Sequence, residues 1–398
     1  MSDSYTDARR QDTFNFLYEQ ETNFYLNLYN RLIGSEFNIT APITATTNLP
    51  TECMQDLYIN AQYDYIARHH YASHPTTGTE YQVGTATGSV YSQAGQLNNL
   101  YQQISGQVMY GQAYICNETN IAEPNRYSSE FAIMNSAIYS YQGWSVCTFS
   151  FSSDRIDSTS NQITNSFSIL NMPTRMGTLT GAALLFYSGE IAEATEGYFT
   201  GLDESQALYE FKGQTWSITA GLYLVGKAGV YFIDENGDNI NKEIGNPTNN
   251  DALLERINHQ FVTNENETII YANDGSFFAV NTPSTQSVIG QYGDKVISLN
   301  EMSVRTDNRY ATVTLSALKK QTNGSVDLSK TIETSDHLLL NASATMRNTG
   351  AEYSTDGREI TGYGDSPILV EPVTGEVTIR NLNKYDVYAL DSSGQRTN

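Results

Sequence analysis

The sequence predicts an α/β fold of the (β/α)-barrel type over about residues 1–190, followed by an all-β, sandwich-like region. A β-prone run from Val108 to Cys116 leads to a single carboxylate, Glu118, and then to a polar loop and a helical pattern. A (β/α) barrel presents its chemistry on this strand–loop–helix unit, because the carboxyl ends of its strands face the pocket. Glu118 is therefore the first candidate for a reacting group.

Composition changes in the second half of the chain. Short alternating runs such as GVYFID, TIIYA and EVTIRNL are separated by the turn sequences ENGDN, NDG, TNG and DSSG, a pattern typical of antiparallel sandwiches. Residues 1–190 contain seven Arg and no Lys, whereas all eight Lys lie from Lys212 onward. This shift predicts a boundary near 191–205. The predicted domains are 1–195 (α/β), 196–310 (β-rich) and 311–398 (Ig-like β-sandwich).

Charge and cysteine content narrow the classes of partner. The net charge of −22 disfavours nucleic acid and anionic membranes and favours neutral partners. Three widely spaced cysteines predict neither a disulfide framework nor a zinc site, and no cofactor motif is present. No window approaches 18 apolar residues and the N-terminus is polar, so neither a membrane span nor a signal peptide is expected.

The first elements follow from periodicity. Apolar residues at helical spacing predict a helix over 13–32, and Gly34 follows as a stop. A β-like run over 39–47 ends at Asn48, and a short helix is expected after Pro50.

Three of the five histidines, His69, His70 and His74, cluster just after the β-prone sequence YDYI. A row of hydrogen-bonding groups lining a polar pocket is the preferred explanation. A zinc site is disfavoured because no fourth ligand is patterned, and structural histidines that cap a loop are a third alternative.

The remaining elements of the first half alternate between loop, helix and strand. A Thr/Gly-rich surface loop is expected over 76–95, and a helix beginning near Phe131 ends at Gly143. A last strand over 144–151 precedes a helix over 173–191, in which two glycines allow close packing.

Several motifs, taken in their order, resemble the second half of the clan A (β/α)8-barrel retaining glycoside hydrolases, which include cellulase-type and β-galactosidase-type enzymes. The all-β region resembles tails of large bacterial members of the group. The motifs are PITATTN (42–48), DYIARHHYASHP (64–75), ETNIAEPNRYSSE (118–130), YQGW (141–144), PTRMGTLTGAALLFYSGEI (173–191), FFAVNTPSTQSVIG (277–290), SDHLLLNASATMRNTG (335–350) and SPILVEPVTGEVTI (366–379).

The resemblance implies a partial barrel comprising strands 5–8, with roles for the residues at the strand ends. Glu118 would be the nucleophile that attacks a β-linked poly- or oligosaccharide, Tyr71 its hydrogen-bond donor and His69 a ligand of a sugar hydroxyl. Further residues expected to face the substrate are Asn48, Arg68, His74, Asn120, Trp144, Phe149 and Phe151, with Arg68 also near the nucleophile and one of the three aromatics as the sugar platform.

A retaining mechanism needs a second carboxyl about 5–5.5 Å from the nucleophile, to act as acid and then base. In the resembled group that carboxyl ends the fourth strand, so we expect it on an upstream half-barrel segment. Glu52 and Glu123 are nearby substitutes. The chain would then be a fragment of a longer precursor, or the upstream half would be a separate chain. For a fragment of a longer precursor, a secreted or periplasmic location is expected.

Two alternatives differ in class. A degenerate barrel carrying β-modules would be a non-catalytic carbohydrate-binding or surface-assembly protein, which the 28 tyrosines and acidic charge also suit. A viral or phage fibre-type β protein fits the Ser/Thr/Asn richness, but the helices of the first half disfavour it.

Overall fold

The computed structural model describes residues 12, 15–16, 18–47, 54–73, 100–121, 125, 127–148, 161–163, 167, 169, 172–203, 218–290, 294–318, 327–353, 355, 360–380, 385–391 and 394–397. The α-helices are α1 (Asn27–Ile33, continuing a π-helical turn at Thr22–Leu26), α2 (Met54–Asn60), α3 (Leu100–Ser105), α4 (Phe131–Gln142, after a 3-10 turn at Ser128–Glu130), α5 (Pro173–Ser188), α6 (Leu222–Val225) and α7 (Leu253–Arg256). The strands are β1 (Tyr65–Ser73), β2 (Ala113–Ile121), β3 (Ser145–Thr148), β4 (Gly197–Asp203), β5 (Lys227–Ile233), β6 (Phe261–Thr263), β7 (Ile269–Ala272), β8 (Phe277–Asn281), β9 (Thr285–Gly290), β10 (Ile297–Ser298), β11 (Met302–Thr306), β12 (Ala311–Ala317), β13 (Leu338–Ser343), β14 (Met346–Thr349), β15 (Glu352–Tyr353), β16 (Ile360–Gly362), β17 (Asp365–Val370) and β18 (Gly375–Ile379).

A parallel sheet in the order β1-β2-β3 organises the first half of the chain. Helix α3 lies between β1 and β2 in sequence, and α4 lies between β2 and β3, as in consecutive β/α units. Gly143 ends α4 with a φ of 72°, a left-handed conformation that glycine adopts without a steric penalty. Within the described residues the sheet has three strands, and its completion to a barrel stays a prediction.

Two expected boundaries in this half are corrected. Residues 39–47 form no strand, and hydrogen bonds between Ile43 and Asp64 hold this segment to the start of β1. The predicted strand from Val108 begins only at Ala113, so the carboxylate of Glu118 lies inside the strand and not in the following loop. The run before Ala113 instead pairs with β5, through a parallel bridge between Met109 and Val230.

The sequence predicted an all-β, antiparallel sandwich beyond residue 192, but this region also contains a parallel pair of strands and short helices. Strands β4 and β5 are parallel. In sequence, the short helix α6 lies between them and the short helix α7 follows β5. Runs such as GVYFID are compatible with either strand direction, since local alternation does not specify the partner strand. One apolar core extends from Met54 to Tyr310, across the predicted boundary at residue 195.

The remaining strands build a sandwich. A six-stranded antiparallel sheet has the order β13-β12-β9-β8-β7-β6, and a three-stranded sheet has the order β10-β11-β18. A second apolar core between them contains Val288, Met302, Val304 and Val313. The opposite face of the large sheet supplies Phe278 and other side chains to the first core, so this sheet is covered on both sides.

Helix α5 packs closely on the large sheet through its two glycines. A Cβ atom at Gly181 would lie 3.0 Å from Thr314 Cγ2, and one at Gly177 would lie 2.7 Å from Asn341 Nδ2. The facing sheet surface is lined by buried hydroxyl groups, including a 2.8 Å contact between Ser287 and Thr314. Of the helices described, none combines the length and apolar character needed to cross a bilayer.

Candidate functional site

A one-residue bulge in β2 determines where Glu118 points. Arg68 pairs with Cys116 across the ladder, but the next pair is His69 with Glu118, so Asn117 is the extra residue. Without this bulge Glu118 would share the face of Cys116, which is buried in the apolar core. The bulge turns the carboxylate to the other face, where it meets the side chains of β1.

Two side chains from β1 converge on one carboxylate oxygen. The Tyr71 hydroxyl donates to Glu118 Oε2 at 2.6 Å, and His69 Nδ1 lies 3.1 Å from the same oxygen. No described residue donates to the other oxygen, Oε1. The Glu118 side chain retains 23% of its accessible surface, so the carboxylate is partly open to solvent.

The pKa shifts of Tyr71 and His69 suit this geometry. Burial, followed by the hydrogen bond to Glu118, raises the pKa of Tyr71, so the phenol keeps its proton at neutral pH. Burial lowers the pKa of His69, and the nearby Arg68 lowers it further, against the opposing charge of Glu118. A neutral imidazole carries a proton on one ring nitrogen and can accept a hydrogen bond at the other.

The wall beside this triad comes from the segment after β3 and from α5. The Phe167 ring packs edge-to-face on Tyr71, with ring centroids 5.2 Å apart. Asn120 donates to the Phe167 carbonyl at 2.5 Å and accepts from Arg175 at 3.0 Å. Arg175 also donates to the Ile121 carbonyl. Asn120 is fully buried, so it fixes the wall and has no surface for the expected contact with substrate.

Arg68 lies on the opposite face of β1 and does not reach Glu118. Its guanidinium forms a buried ion pair with Asp56 of α2 at 2.8 Å, and it also donates to the Thr46 carbonyl. Asn60 donates to the Asp56 carboxylate at 3.0 Å. The expected role of Arg68 in binding substrate is thus replaced by a structural one, because strand alternation separates it from His69.

Trp144 is also placed differently from the expectation. Its side chain is 4% exposed and packs on Tyr114 and Tyr139, with centroid distances of 5.5 and 5.4 Å. A ring enclosed in this way offers no face for stacking on a sugar. The candidates Asn48, His74, Phe149 and Phe151, and the loop 76–95, lie outside the described residues. Among the residues described, no group of three His, Cys, Asp or Glu side chains is arranged to hold a metal ion.

Sequence reasoning missed three residues that shape the site. Phe167 is an isolated aromatic in a Ser/Asn-rich stretch, a weak signal that could have marked it as a wall residue. Arg175 follows Pro173 at a helix start, a position that gives no hint of its contact with Asn120. Asn117, the extra residue of the bulge, is of a type favoured in turns and depleted in strands, a weak signal for an irregularity in β2.

Comparison with known proteins identifies no relative. No protein-family model, no curated protein and no solved structure matches this chain. The function is therefore inferred from the chemistry of the site.

Proposed function

We propose that the protein is a glycoside hydrolase that cleaves β-linked poly- or oligosaccharides by retaining double displacement, with Glu118 as nucleophile. The observation that carries this proposal is the asymmetry of the carboxylate: the Tyr71 hydroxyl donates to Oε2 and His69 Nδ1 lies 3.1 Å from the same oxygen, while Oε1 accepts no hydrogen bond from the described residues. A nucleophile needs one oxygen fixed and one free, because orientation toward the anomeric carbon lowers the barrier.

In the first step Oε1 attacks the anomeric carbon, and the bonding pair of the glycosidic C–O bond leaves with the departing oxygen, which takes a proton from a second carboxyl group. Water, deprotonated by that same group, then attacks the glycosyl–Glu118 ester and releases the free carboxylate. Tyr71 keeps its hydrogen bond to Oε2 throughout, and a neutral His69 can accept a hydrogen bond from a sugar hydroxyl at its unprotonated ring nitrogen.

The described contacts of Glu118 include no second carboxyl. We propose that the acid/base comes from residues outside the described ranges, with Glu52 and Glu123 as candidates in this chain, or from an upstream half-barrel segment. Activated aryl glycosides distinguish a site that lacks only its acid/base from a site that has no nucleophile. A dinitrophenolate leaving group departs without protonation, so its release requires the nucleophile alone.

The test is a panel of β-linked oligosaccharides and polysaccharides assayed for new reducing ends, with wild type, Glu118→Gln and Glu243→Gln, alone and with the upstream segment added. Glu243 is exposed and lies outside the site, so it is the matched control. Turnover should vanish only in Glu118→Gln, with its thermal unfolding unchanged. Equal turnover in Glu118→Gln and wild type would contradict the proposal.

The second candidate function is carbohydrate binding without cleavage. It is favoured by one observation: the described part of the site provides a single carboxyl where hydrolysis requires two. Binding of a β-linked oligosaccharide, without release of reducing ends or of dinitrophenolate from activated glycosides, would support this alternative over hydrolysis.

A further inference from the structure

A separate cavity of about 540 Å³ lies where the α/β part meets the β-modules. Tyr127, between β2 and α4, forms one wall, Arg309 and Tyr310 form a second, and the paired strands β14 and β17 form a third with Arg347 and Leu369. Its volume falls within the range of small-molecule sites. The cavity does not include Glu118, Tyr71 or His69.

The described residues that line the cavity carry a charge opposite in sign to that of the protein. They include two arginines, Arg309 and Arg347, and one acid, Glu371, for a formal sum of +1 over these residues, whereas the whole chain carries −22. Neither arginine forms an ion pair or a side-chain hydrogen bond with any described residue. The Glu371 carboxylate already accepts from Thr345 at 2.6 Å and from Asn308 at 3.0 Å, so each of its oxygens has a partner inside the protein.

One aromatic wall of the cavity is rigid before any ligand binds. The Tyr127 and Tyr310 rings pack edge-to-face, with centroids 4.9 Å apart, and the buried Tyr310 hydroxyl donates to the Tyr127 carbonyl at 3.0 Å. Ser129 and Thr312 contact the Tyr310 hydroxyl at 2.8 and 3.3 Å. A fixed phenol ring beside arginines offers an apolar face for the flat side of a sugar ring and cations for an attached anion.

The cavity is physically tied to the wall of the Glu118 site. Asn348 of β14 exchanges hydrogen bonds with the Ile163 backbone at 2.8 and 3.0 Å, and Ile368 N of β17 donates to the Asn161 carbonyl at 3.0 Å. Phe167, a few residues further along the same segment, packs on Tyr71. Tyr127 follows the end of β2 by six residues, a span of at most about 20 Å.

We infer that this cavity is a subsite for an acidic sugar unit, one carrying a carboxylate or a sulfate, of the saccharide that the protein recognises. Arg309 and Arg347 would bind the anionic group, and the ring of Tyr127 would pack against the sugar. The sugar nature of the ligand rests on the proposed function, whereas the preference for an anion rests on the cavity alone.

The test uses the full chain carrying Glu118→Gln, so that binding is measured without turnover. Titration calorimetry would compare a β-linked oligomannuronate, its methyl ester and a sulfated oligosaccharide of similar length. The ester keeps the shape of the acid and removes its charge. We expect the acid or the sulfate to bind, the ester of the acid to bind at least about tenfold more weakly, and added salt to weaken the anionic ligand.

Arg309→Gln and Arg347→Gln should each weaken binding of the anion about tenfold or more. Arg380→Gln is the matched control, because Arg380 is exposed, lies outside the cavity and changes the net charge equally. Binding of the acid alone indicates a carboxylate site, and binding of the sulfate indicates a sulfate site. Equal affinity for acid and ester, no binding of either anion, or equal effects of all three variants would overturn the inference. Failure of hydrolysis in the separate reducing-end assay, with these binding results intact, would count against the enzyme and not against the subsite.

Discussion

The Tyr71 hydroxyl on β1 donates to Glu118 Oε2 on the neighbouring parallel strand at 2.6 Å, a short hydrogen bond to a partly exposed carboxylate. Bonds of this kind are stronger than neutral ones because the acceptor is charged. Under the proposed hydrolysis, the contribution of this bond to turnover is measurable.

Removing this donor should slow the reaction and leave the fold intact. In Tyr71→Phe we expect kcat to fall about 10- to 100-fold, the equivalent of losing about 1.5–3 kcal/mol from one hydrogen bond to a charged group, with KM nearly unchanged. Steady-state kinetics on an activated aryl glycoside measures this loss. Tyr187→Phe is the control, since that tyrosine is 75% exposed on α5. Wild-type kcat in Tyr71→Phe would show that the bond has no part in turnover.

The ion pair of Arg68 with Asp56 should stabilise the fold and contribute nothing direct to catalysis. Arg68→Ala or Asp56→Ala leaves an uncompensated buried charge, which costs about 3–5 kcal/mol of unfolding free energy. Urea unfolding measures this loss, and the double variant should lose less than the sum of the two single losses.

Arg305→Ala provides the comparison for this pair. Arg305 and Asp307 form an exposed ion pair, and its loss should change stability little. If the single losses at Arg68 and Asp56 simply added, or matched the effect of Arg305→Ala, the buried pair would not be stabilising.

His70 should make stability depend on pH. Burial, followed by the charges of Arg68 and His69, lowers the pKa of His70 to about 3, and its Nε2 has no hydrogen-bond partner among the described residues. Because this folded-state value lies below the unfolded value of about 6.5, the neutral form favours the fold. The contribution is complete above pH 6.5 and is lost as the pH falls toward 3.

Between pH 7 and pH 5 the titration of His70 should cost about 2 kcal/mol of unfolding free energy. Urea unfolding at both pH values, for wild type and His70→Gln, measures this difference, because the variant lacks the titrating group and should lose about that much less. Identical pH dependence in the two proteins would mean that His70 is already solvated or charged in the fold.

The contact of α5 with the large sheet should tolerate no large side chain at Gly181. A Cβ there already lies 3.0 to 3.1 Å from Thr314 and Ser316, so Gly181→Leu should cost about 1–3 kcal/mol through overpacking. Ala183→Leu places the same side chain on the exposed face of the same helix and should be nearly neutral. Thermal unfolding compares the two, and equal melting temperatures would show that the helix does not pack as described.

Several features were predictable from the sequence because they depend on local chemistry. Gly34 and Gly143 end their helices as expected, and α5 uses its glycines for close packing. The order of the motifs led us to expect Glu118, Tyr71 and His69 in one pocket, and the structure places these three side chains in contact.

The remaining features depend on tertiary pairing that a linear pattern does not encode. Asn117 is of a residue type that is depleted in strands, but this preference alone does not distinguish a bulge from a turn; as the bulge it reverses the face of everything after it. Trp144 is the residue type expected of a sugar platform, but the aromatic side chains around it enclose it in the core. Strand β5 takes its partners from β4 and from the chain near Met109, more than 100 residues away.

The central claim is that Glu118 is a covalent nucleophile. The most direct measurement incubates the protein with a panel of 2-deoxy-2-fluoro-β-glycosides that carry dinitrophenolate leaving groups, followed by mass spectrometry of the intact protein and its peptides. We predict one added glycosyl unit, located on the peptide that contains Glu118 and absent from Glu118→Gln. A label on a different residue, or equal dinitrophenolate release by Glu118→Gln and wild type, would contradict this account.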